Sequence, residues 1–285
     1  MSNDDKQNNT SYVIDAENVA EMARLVRQGR TITQNTGSLF PGQIDSSGIH
    51  RVLDIACGPG EWAFSVASAH PEIQVTGVDI SQIMIEYANA QAKEQRVDNS
   101  TFRVMSAKEP LDFPDAAFDL INARFLVGFM DPVTWPKFVQ ECVRITRSGG
   151  VLVLTETEET LTNSLATERL HAMIAEAMKR AGQSFSVDGR HYGITPMVGK
   201  LFRNAGYINI HYNSYAIDCS FGMEAHQDIY HDLLTAYKLV QPYLIKTGVT
   251  TQEEVEGLYQ RMLEEWQLPD FCALWTYLTV SGERP

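Results

Sequence analysis

A short apolar run followed by two glycines constrains the fold of this chain more than any other feature. Residues 52–56 read Val-Leu-Asp-Ile-Ala, and Gly58 and Gly60 follow at once. The run is too short for a helix and is typical of a buried strand. Glycine permits a tight turn and a close approach of the backbone to a ligand. Because ligands of α/β sheets bind beyond the carboxyl ends of the strands, the sequence predicts a ligand site at this turn.

Apolar runs and helical periodicity alternate along the chain. This alternation predicts an α/β fold in which crossover helices cover a parallel sheet. The segment 15–28 has the spacing of an amphipathic helix, and we expect Gly29 to end it. Thr251 and Glu254 have the spacing of a capping box at the start of another helix. The predicted strands are residues 52–56, 73–78, 101–105, 118–121, 151–155, 208–217 and 272–280.

The same patterns divide the chain into four parts. We expect a tail, disordered over residues 1 to about 11, and a lid helix within residues 1–48. The core then covers residues 49–222, a helical insert that forms a cap covers 223–268, and the final strand lies in 269–285.

Composition restricts the classes of partner. The 285 residues include four scattered cysteines and carry a formal net charge of -13. We therefore expect reduced thiols in a cytoplasmic protein and no binding to nucleic acid, whose phosphates this charge repels. No apolar stretch approaches the roughly 18 residues of a membrane span, so no membrane partner is expected. A small molecule is the predicted partner, and a homodimer is possible.

An acidic residue completes the pattern begun by the glycine turn. Asp79 follows the second predicted strand, where its carboxylate can accept hydrogen bonds from both hydroxyls of a ribose. A dinucleotide site is one reading, because the segment from Gly58 to Ala63 also satisfies G-x-G-x-x-A. A nucleoside is therefore expected at this turn.

The segment VLDIACGPGEWA, residues 52–63, resembles the first motif of the class I S-adenosylmethionine (SAM) dependent methyltransferases. The segments 113–125 and 144–156 resemble the fourth-strand and fifth-strand motifs of that family. The resemblance implies a Rossmann-like, doubly wound, seven-stranded sheet whose last strand is antiparallel, with SAM as cofactor. Ser106 departs from the family, which commonly has an acidic residue there. The cofactor-binding residues implied are Asp54, Ala56, Gly58, Gly60, Asp79, Ile80, Ser106, Ala107 and Asn122.

The resemblance also implies a reaction, namely SN2 transfer of the SAM methyl group to an oxygen, nitrogen or carbon of a small, hydrophobic metabolite. His191 and Tyr192, in a glycine-flanked loop, are the candidate catalytic residues, although a surface histidine is the simpler interpretation. Two alternatives stay open, a SAM-binding scaffold without methyl transfer and an NAD(P)-dependent oxidoreductase.

Three further groups of residues each allow two interpretations of their role. Arg24 and Gln28 would reach the carboxylate of SAM if the first helix covers the site, or else lie on a solvated helix face. Glu156, Glu158 and Glu159 would attract a cationic acceptor or a divalent metal, or else form a solvated turn. His171 is expected to be packed or half-exposed on its helix. No metal site is predicted.

Overall fold

The computed structural model describes residues 12–285, so the predicted disordered tail lies outside the described residues. The secondary structure in the first half is α1 (Val19–Thr36), β1 (Arg51–Ile55), α2 (Glu61–Ala69), β2 (Gln74–Asp79), α3 (Gln82–Gln95), β3 (Ser100–Val104), β4 (Phe118–Arg124), α4 (Thr134–Ile145) and β5 (Thr146–Thr157). The second half contains β6 (Leu161–Thr162), α5 (Leu165–Arg180), α6 (Thr195–Ala205), β7 (Ile208–Asp218), α7 (His226–Lys246), α8 (Gln252–Glu265) and β8 (Ala273–Glu283).

The strands form one sheet in the order β3-β2-β1-β4-β5-β8-β6, with β7 paired to β8. Strands β1 to β5 are parallel, whereas β8 runs antiparallel to β5 and to β7. The α/β prediction with an antiparallel last strand is thus confirmed. The two-residue strand β6 adds an eighth strand to the seven predicted, because it pairs with the start of β8.

Side chains of β1 alternate between two cores. Val52 contributes to the core under α2 and α3, while Leu53 and Ile55 contribute to the core under α4 and α6. Every residue from Val52 to Ile55 is buried, as expected for a strand covered on both faces. A third cluster joins α1, α5, α7 and α8 around Trp266. The sheet is therefore doubly wound, and the third cluster stands beside it.

The first helix differs from the prediction. Gly29 does not end α1, which continues to Thr36 and is capped by Gly37 in a left-handed conformation with φ of 70°. A Cβ atom added to Gly29 would lie 2.9 Å from Cβ of Glu61, so this glycine lets α1 approach the start of α2 closely. The glycine serves a helix contact, which a single sequence does not distinguish from a helix end.

The segment between β7 and β8 carries α7 and α8. The backbone N–H of Cys219, just after β7, donates to the carbonyl of Ala273 at the start of β8 over 3.0 Å. Thr251 caps α8 as predicted, since its hydroxyl accepts from the backbone N–H of Glu254. Within residues 12–285, no helix is both long and apolar enough to span a lipid bilayer.

Candidate active site

The turn after β1 has the unusual backbone that its glycines allow. Gly58 and Gly60 have positive φ angles of 53° and 89°. A Cβ atom on Gly60 would lie only 2.8 Å from the ring of Phe102, so neither its backbone nor its packing tolerates a side chain. The helix α2 begins directly after this residue. The turn therefore ends a strand and begins a helix within a few residues.

Asp79 joins the end of β2 to this turn. Its Oδ2 accepts from the backbone N–H of Gly58 over 2.9 Å, and its Oδ1 accepts from the backbone N–H of Ser81, also over 2.9 Å. Burial raises the pKa of Asp79, although both hydrogen bonds oppose that shift. Each oxygen retains acceptor capacity, because a carboxylate can accept about four hydrogen bonds in all. The carboxylate is thus fixed in place and still able to bind hydroxyl groups.

A cavity of about 450 Å³ opens above the carboxyl ends of all the parallel strands β1 to β5. The order of the sheet reverses between β1 and β4, which is where doubly wound sheets bind ligands. The helices α1, α5 and α7 form the other walls. Of the predicted cofactor-binding and catalytic residues, those that line the cavity are Ala56, Gly58, Asp79, Ile80, Ser106, Ala107 and Tyr192.

Three of the predicted cofactor residues lie behind the cavity wall. Gly60 faces Phe102, as described above. Asp54 is buried under the turn, where its Oδ1 accepts from Nδ2 of Asn122 over 2.8 Å. Burial is the largest influence on Asp54 and raises its pKa to about 6. These residues support the turn from below and do not reach the cavity.

The two predicted catalytic residues separate in the structure. The side chain of His191 is 68% exposed, and its Nδ1 lies 3.5 Å from Oε2 of Glu159. It does not line the cavity, because its ring projects into solvent. Tyr192 does line the cavity, and burial raises the pKa of its hydroxyl. Tyr192 therefore stays a candidate for contact with an acceptor, while His191 lies at the outer surface.

Arg24 and Gln28 line the cavity, but their polar groups already bond to other side chains. Arg24 pairs with Glu21 over 2.7 Å and with Asp232 on α7 over 2.9 Å. Nε2 of Gln28 donates to the other oxygen of Asp232 over 3.1 Å. Tyr12 adds a hydrogen bond to Glu21 over 2.8 Å. This buried network joins α1 to α7, and it occupies the guanidinium that the sequence suggested for the SAM carboxylate.

A second arginine has a different environment. Arg124 ends β4 and lines the cavity. Within the described part of the chain, no carboxylate oxygen lies within 4.0 Å of its guanidinium nitrogens, although the charge of Asp54 acts on it from further away. Burial lowers its pKa. The sequence reasoning missed this residue, and its signal was a positive charge at the carboxyl end of a predicted parallel strand.

The acidic run at the carboxyl end of β5 is not a solvated turn. Glu156 is buried and accepts from the backbone N–H groups of Leu126 and Val127, and burial raises its pKa to about 8. Glu158 accepts from the backbone N–H groups of Gly193 and Thr195, and so binds the start of α6. Within residues 12–285, no three His, Cys, Asp or Glu side chains are grouped closely enough to hold a metal ion.

The side of the cavity formed by α5 and α7 is largely apolar. Residues of α5 reach it at helical spacing, and α7 contributes one face opposite. Aromatic rings of Phe125 and Trp275 stack with centroids 5.8 Å apart at its border. The sequence showed that these helices are amphipathic but not that one face lines a cavity. The residues of this wall are His171, Ile174, Met178, Leu233, Ala236, Tyr237 and Val240.

A family model described as a methyltransferase domain matches residues 52–150. The matched range runs from the strand before the glycine turn into β5, and it includes Asp79 and Arg124. Residues 52–150 thus match a methyltransferase domain, and the chain resembles the class I SAM-dependent methyltransferases. The cofactor of this family is SAM.

Two curated relatives show how far the similarity extends. An uncharacterized methyltransferase of Schizosaccharomyces pombe is 29% identical over 174 residues, which cover 56% of this chain and 58% of the relative. The 27-O-demethylrifamycin SV methyltransferase of Amycolatopsis mediterranei is 39% identical over 105 residues, covering 36% of this chain and 37% of the relative. The matches thus span less than two thirds of the length of either relative.

A solved structure resembles nearly the whole described fold. The YcgJ protein of Bacillus subtilis aligns with a TM-score of 0.51 and 18% identity, covering 91% of this chain and 98% of that one. At this identity the likeness shows the shared fold. It agrees with the Rossmann-like sheet described above.

Proposed function

We propose that this chain transfers the methyl group of SAM to an oxygen, nitrogen or carbon atom of a small, largely apolar molecule. One observation carries the proposal: the Asp79 carboxylate and the glycine turn lie at one side of a cavity whose opposite side is apolar. A polar nucleoside and an apolar acceptor would thus meet in the same space. The family assignment supports the cofactor, and the shape and lining of the cavity support the acceptor class.

The residues present fit the cofactor. Asp79 has acceptor capacity left for the two ribose hydroxyls, and Ile80, 49% exposed, offers an apolar surface beside it for adenine. Ser106 and Ala107, after β3, line the cavity where polar groups of adenine would lie. When bound, SAM supplies a methyl group already activated by the positive charge of its sulfonium.

The chain's own contribution is chiefly alignment. Displacement at a methyl carbon requires the nucleophile, the carbon and the sulfur to lie in line, and holding reactants in that geometry supplies a large part of a rate enhancement. We propose that Arg124 binds the carboxylate of the methionine part, since a guanidinium matches a carboxylate in charge and geometry. Asp79 and Arg124 would then fix the cofactor from its two ends.

The acceptor is proposed to be a small molecule. The Amycolatopsis relative is named for a rifamycin substrate, which is consistent with a small-molecule acceptor here, although that match covers about a third of each chain. The net charge of -13 disfavours a nucleic acid. A cytoplasmic location and a homodimer stay predictions, as do the four-part division of the chain and the catalytic role of Tyr192.

Calorimetry with S-adenosylhomocysteine tests the cofactor proposal. We expect the wild type to bind it and Asp79→Ala to lose detectable binding, while Asp98→Ala, at an exposed position, binds as the wild type does.

Transfer of a tritiated methyl group to a panel of small acceptors distinguishes an enzyme from a binding scaffold. Binding of NADH with no binding of S-adenosylhomocysteine would instead favour the oxidoreductase.

A further inference from the structure

Two buried polar atoms in the cavity have no hydrogen-bond partner within residues 12–285. One is Oε1 of Glu159, which follows β5, and the other is the hydroxyl oxygen of Tyr237, on α7. Tyr237 is only 2% exposed, and both residues line the cavity. Buried polar atoms in folded proteins are nearly always paired. Two such atoms in one cavity therefore indicate that a ligand supplies the missing bonds.

Neighbouring groups leave this pair without an internal counter-charge. Oε2 of Glu159 faces the exposed His191, at 3.5 Å, but Oε1 points into the protein. The His171 ring packs on Tyr237 with centroids 5.6 Å apart, and burial lowers the pKa of His171 to about 4, so it is neutral at pH 7. Tyr192 lines the same cavity. Burial raises the pKa of Glu159, and the nearby His191 opposes that shift.

Hydrogen-bond chemistry restricts which functional group of a ligand can bind both atoms. An ionised carboxylate only accepts, whereas a phenol both donates and accepts. One hydroxyl group can donate to Glu159 and accept from Tyr237, which satisfies both. An ammonium group would satisfy Glu159 but has no acceptor for the Tyr237 hydrogen. A ketone or an ether has no donor for Glu159.

We propose that Glu159 and Tyr237 together bind one hydroxyl group of the methyl acceptor, the rest of which is apolar and packs against α5 and α7. The proposal rests on the proposed function, since it concerns the acceptor side of the same cavity. The apolar part of the acceptor would contact Ile174 and Met178 on α5 and Val240 on α7. Glu159 and Tyr237 are then specificity residues, which orient the acceptor relative to the cofactor.

Matched pairs of probes test this proposal on the full chain saturated with S-adenosylhomocysteine. The pairs are 2-naphthol with 2-methoxynaphthalene, and 4-propylphenol with 4-propylanisole, each measured by calorimetry. Each ether keeps the oxygen acceptor but lacks the donor. We expect the hydroxyl member to bind about tenfold or more tightly than its ether, because a hydrogen bond to a buried charged group is among the stronger ones. The ammonium probe 2-naphthylmethylamine should bind less tightly than 2-naphthol.

Two conservative variants assign the preference to these residues. In Glu159→Gln the amide can donate to an ether oxygen, so the preference for the hydroxyl should fall to about one or reverse. In Tyr237→Phe the preference should persist while 2-naphthol binds several-fold more weakly. The matched controls, Glu168→Gln on the exposed face of α5 and Tyr212→Phe at an exposed position of β7, should retain the wild-type preference.

The outcomes separate this proposal from the preceding one. Loss of S-adenosylhomocysteine binding by the wild type would contradict the proposed function. If the wild type binds that cofactor product but prefers no hydroxyl probe to its ether, the acceptor proposal is overturned. It is also overturned if Glu159→Gln, still binding S-adenosylhomocysteine as the wild type does, keeps the full preference, or if the ammonium probe binds best.

Discussion

Arg24 on α1 and Asp232 on α7 are 208 residues apart in the sequence, and Nη1 of Arg24 donates to Oδ1 of Asp232 over 2.9 Å. Both side chains are almost fully buried, and Glu21 pairs with the same guanidinium from the other side. Burial raises the pKa of Asp232 more than the guanidinium lowers it. Two carboxylates thus share one guanidinium on the wall of the cavity. The guanidinium should therefore contribute more to the stability of the fold than either carboxylate.

This asymmetry predicts an order of destabilisation. Arg24→Met would leave two carboxylates buried together, and we expect it to lower the free energy of unfolding by about 3 to 5 kcal/mol. Asp232→Asn keeps an oxygen for Arg24 and leaves a neutral pair with Glu21, so a loss of about 1 to 2 kcal/mol is expected. Urea denaturation at pH 7 measures both. Equal losses in the two variants would contradict the shared-cation interpretation.

Arg124 predicts a selective loss of affinity. If its guanidinium binds the methionine carboxylate, Arg124→Met should weaken S-adenosylhomocysteine by roughly 10-fold to 100-fold. The affinity for 5′-methylthioadenosine, which lacks that carboxylate, should stay unchanged. Calorimetry with the two ligands on wild type and variant provides the comparison. An equal loss for both ligands would mean that the variant disturbs the turn and not the carboxylate site.

Two helical glycines predict opposite effects of the same substitution. Gly29→Ala places a Cβ atom 2.9 Å from Cβ of Glu61, whereas Gly257→Ala on α8 meets no atom within 4 Å. Alanine favours a helix by about 0.5 to 1 kcal/mol over glycine, so Gly257→Ala should raise the free energy of unfolding by that amount. Gly29→Ala should lower it by about 1 to 3 kcal/mol through overpacking. Thermal unfolding of both variants tests the contrast, and a stabilised Gly29→Ala would show that α1 moves freely relative to α2.

Glu156 predicts a dependence of stability on pH. Its pKa rises from an ordinary value of 4.5 to about 8 on folding, so the folded state binds the extra proton between these values. The free energy of unfolding contributed by this group is therefore fully present below pH 4.5 and is lost as the pH rises towards 8. The loss is about 1.4 kcal/mol for each unit of raised pKa.

The variant Glu156→Gln removes that titration. We expect its stability to fall less steeply than that of the wild type between pH 5 and 8 in urea denaturation series. At pH 5 the variant should be less stable, because its amide nitrogen cannot accept from the backbone N–H of Val127. Glu168→Gln, at an exposed position, should follow the wild-type curve. Parallel curves for wild type and Glu156→Gln would show that Glu156 stays ionised in the fold.

Local patterns predicted the parts of the fold that depend on local chemistry. The apolar run before Gly58 and the capping hydroxyl of Thr251 act within a few residues of their positions, and the structure contains the corresponding strand and cap. Asp79 contacts Gly58, 21 residues earlier, but the alternation of strands and helices already predicted that both lie at the same edge of the sheet. Gly29 could not be read in this way, because its role is a contact with a residue 32 positions later.

The residues on the acceptor side of the cavity could not be predicted from local patterns for the same reason. Periodicity showed that α5 and α7 each bury one face, but burial against a core and exposure to a cavity give the same pattern of apolar residues. Glu158 looked like part of a solvated run because its partners, the amides of Gly193 and Thr195, lie more than thirty residues later. Pairing between distant segments decides each of these cases.

The register of β7 and β8 has a consequence for the segment between them. Asp218, the last residue of β7, pairs with Leu274 near the start of β8, so the chain departs from the sheet and rejoins it at one point. Closing such an excursion costs little more entropy when it is longer, because the cost grows only with the logarithm of its length. Residues 219–272 can therefore lengthen, shorten or change between related proteins while the strand pairing persists, and the wall that α7 contributes can diverge while the nucleoside end of the cavity is preserved.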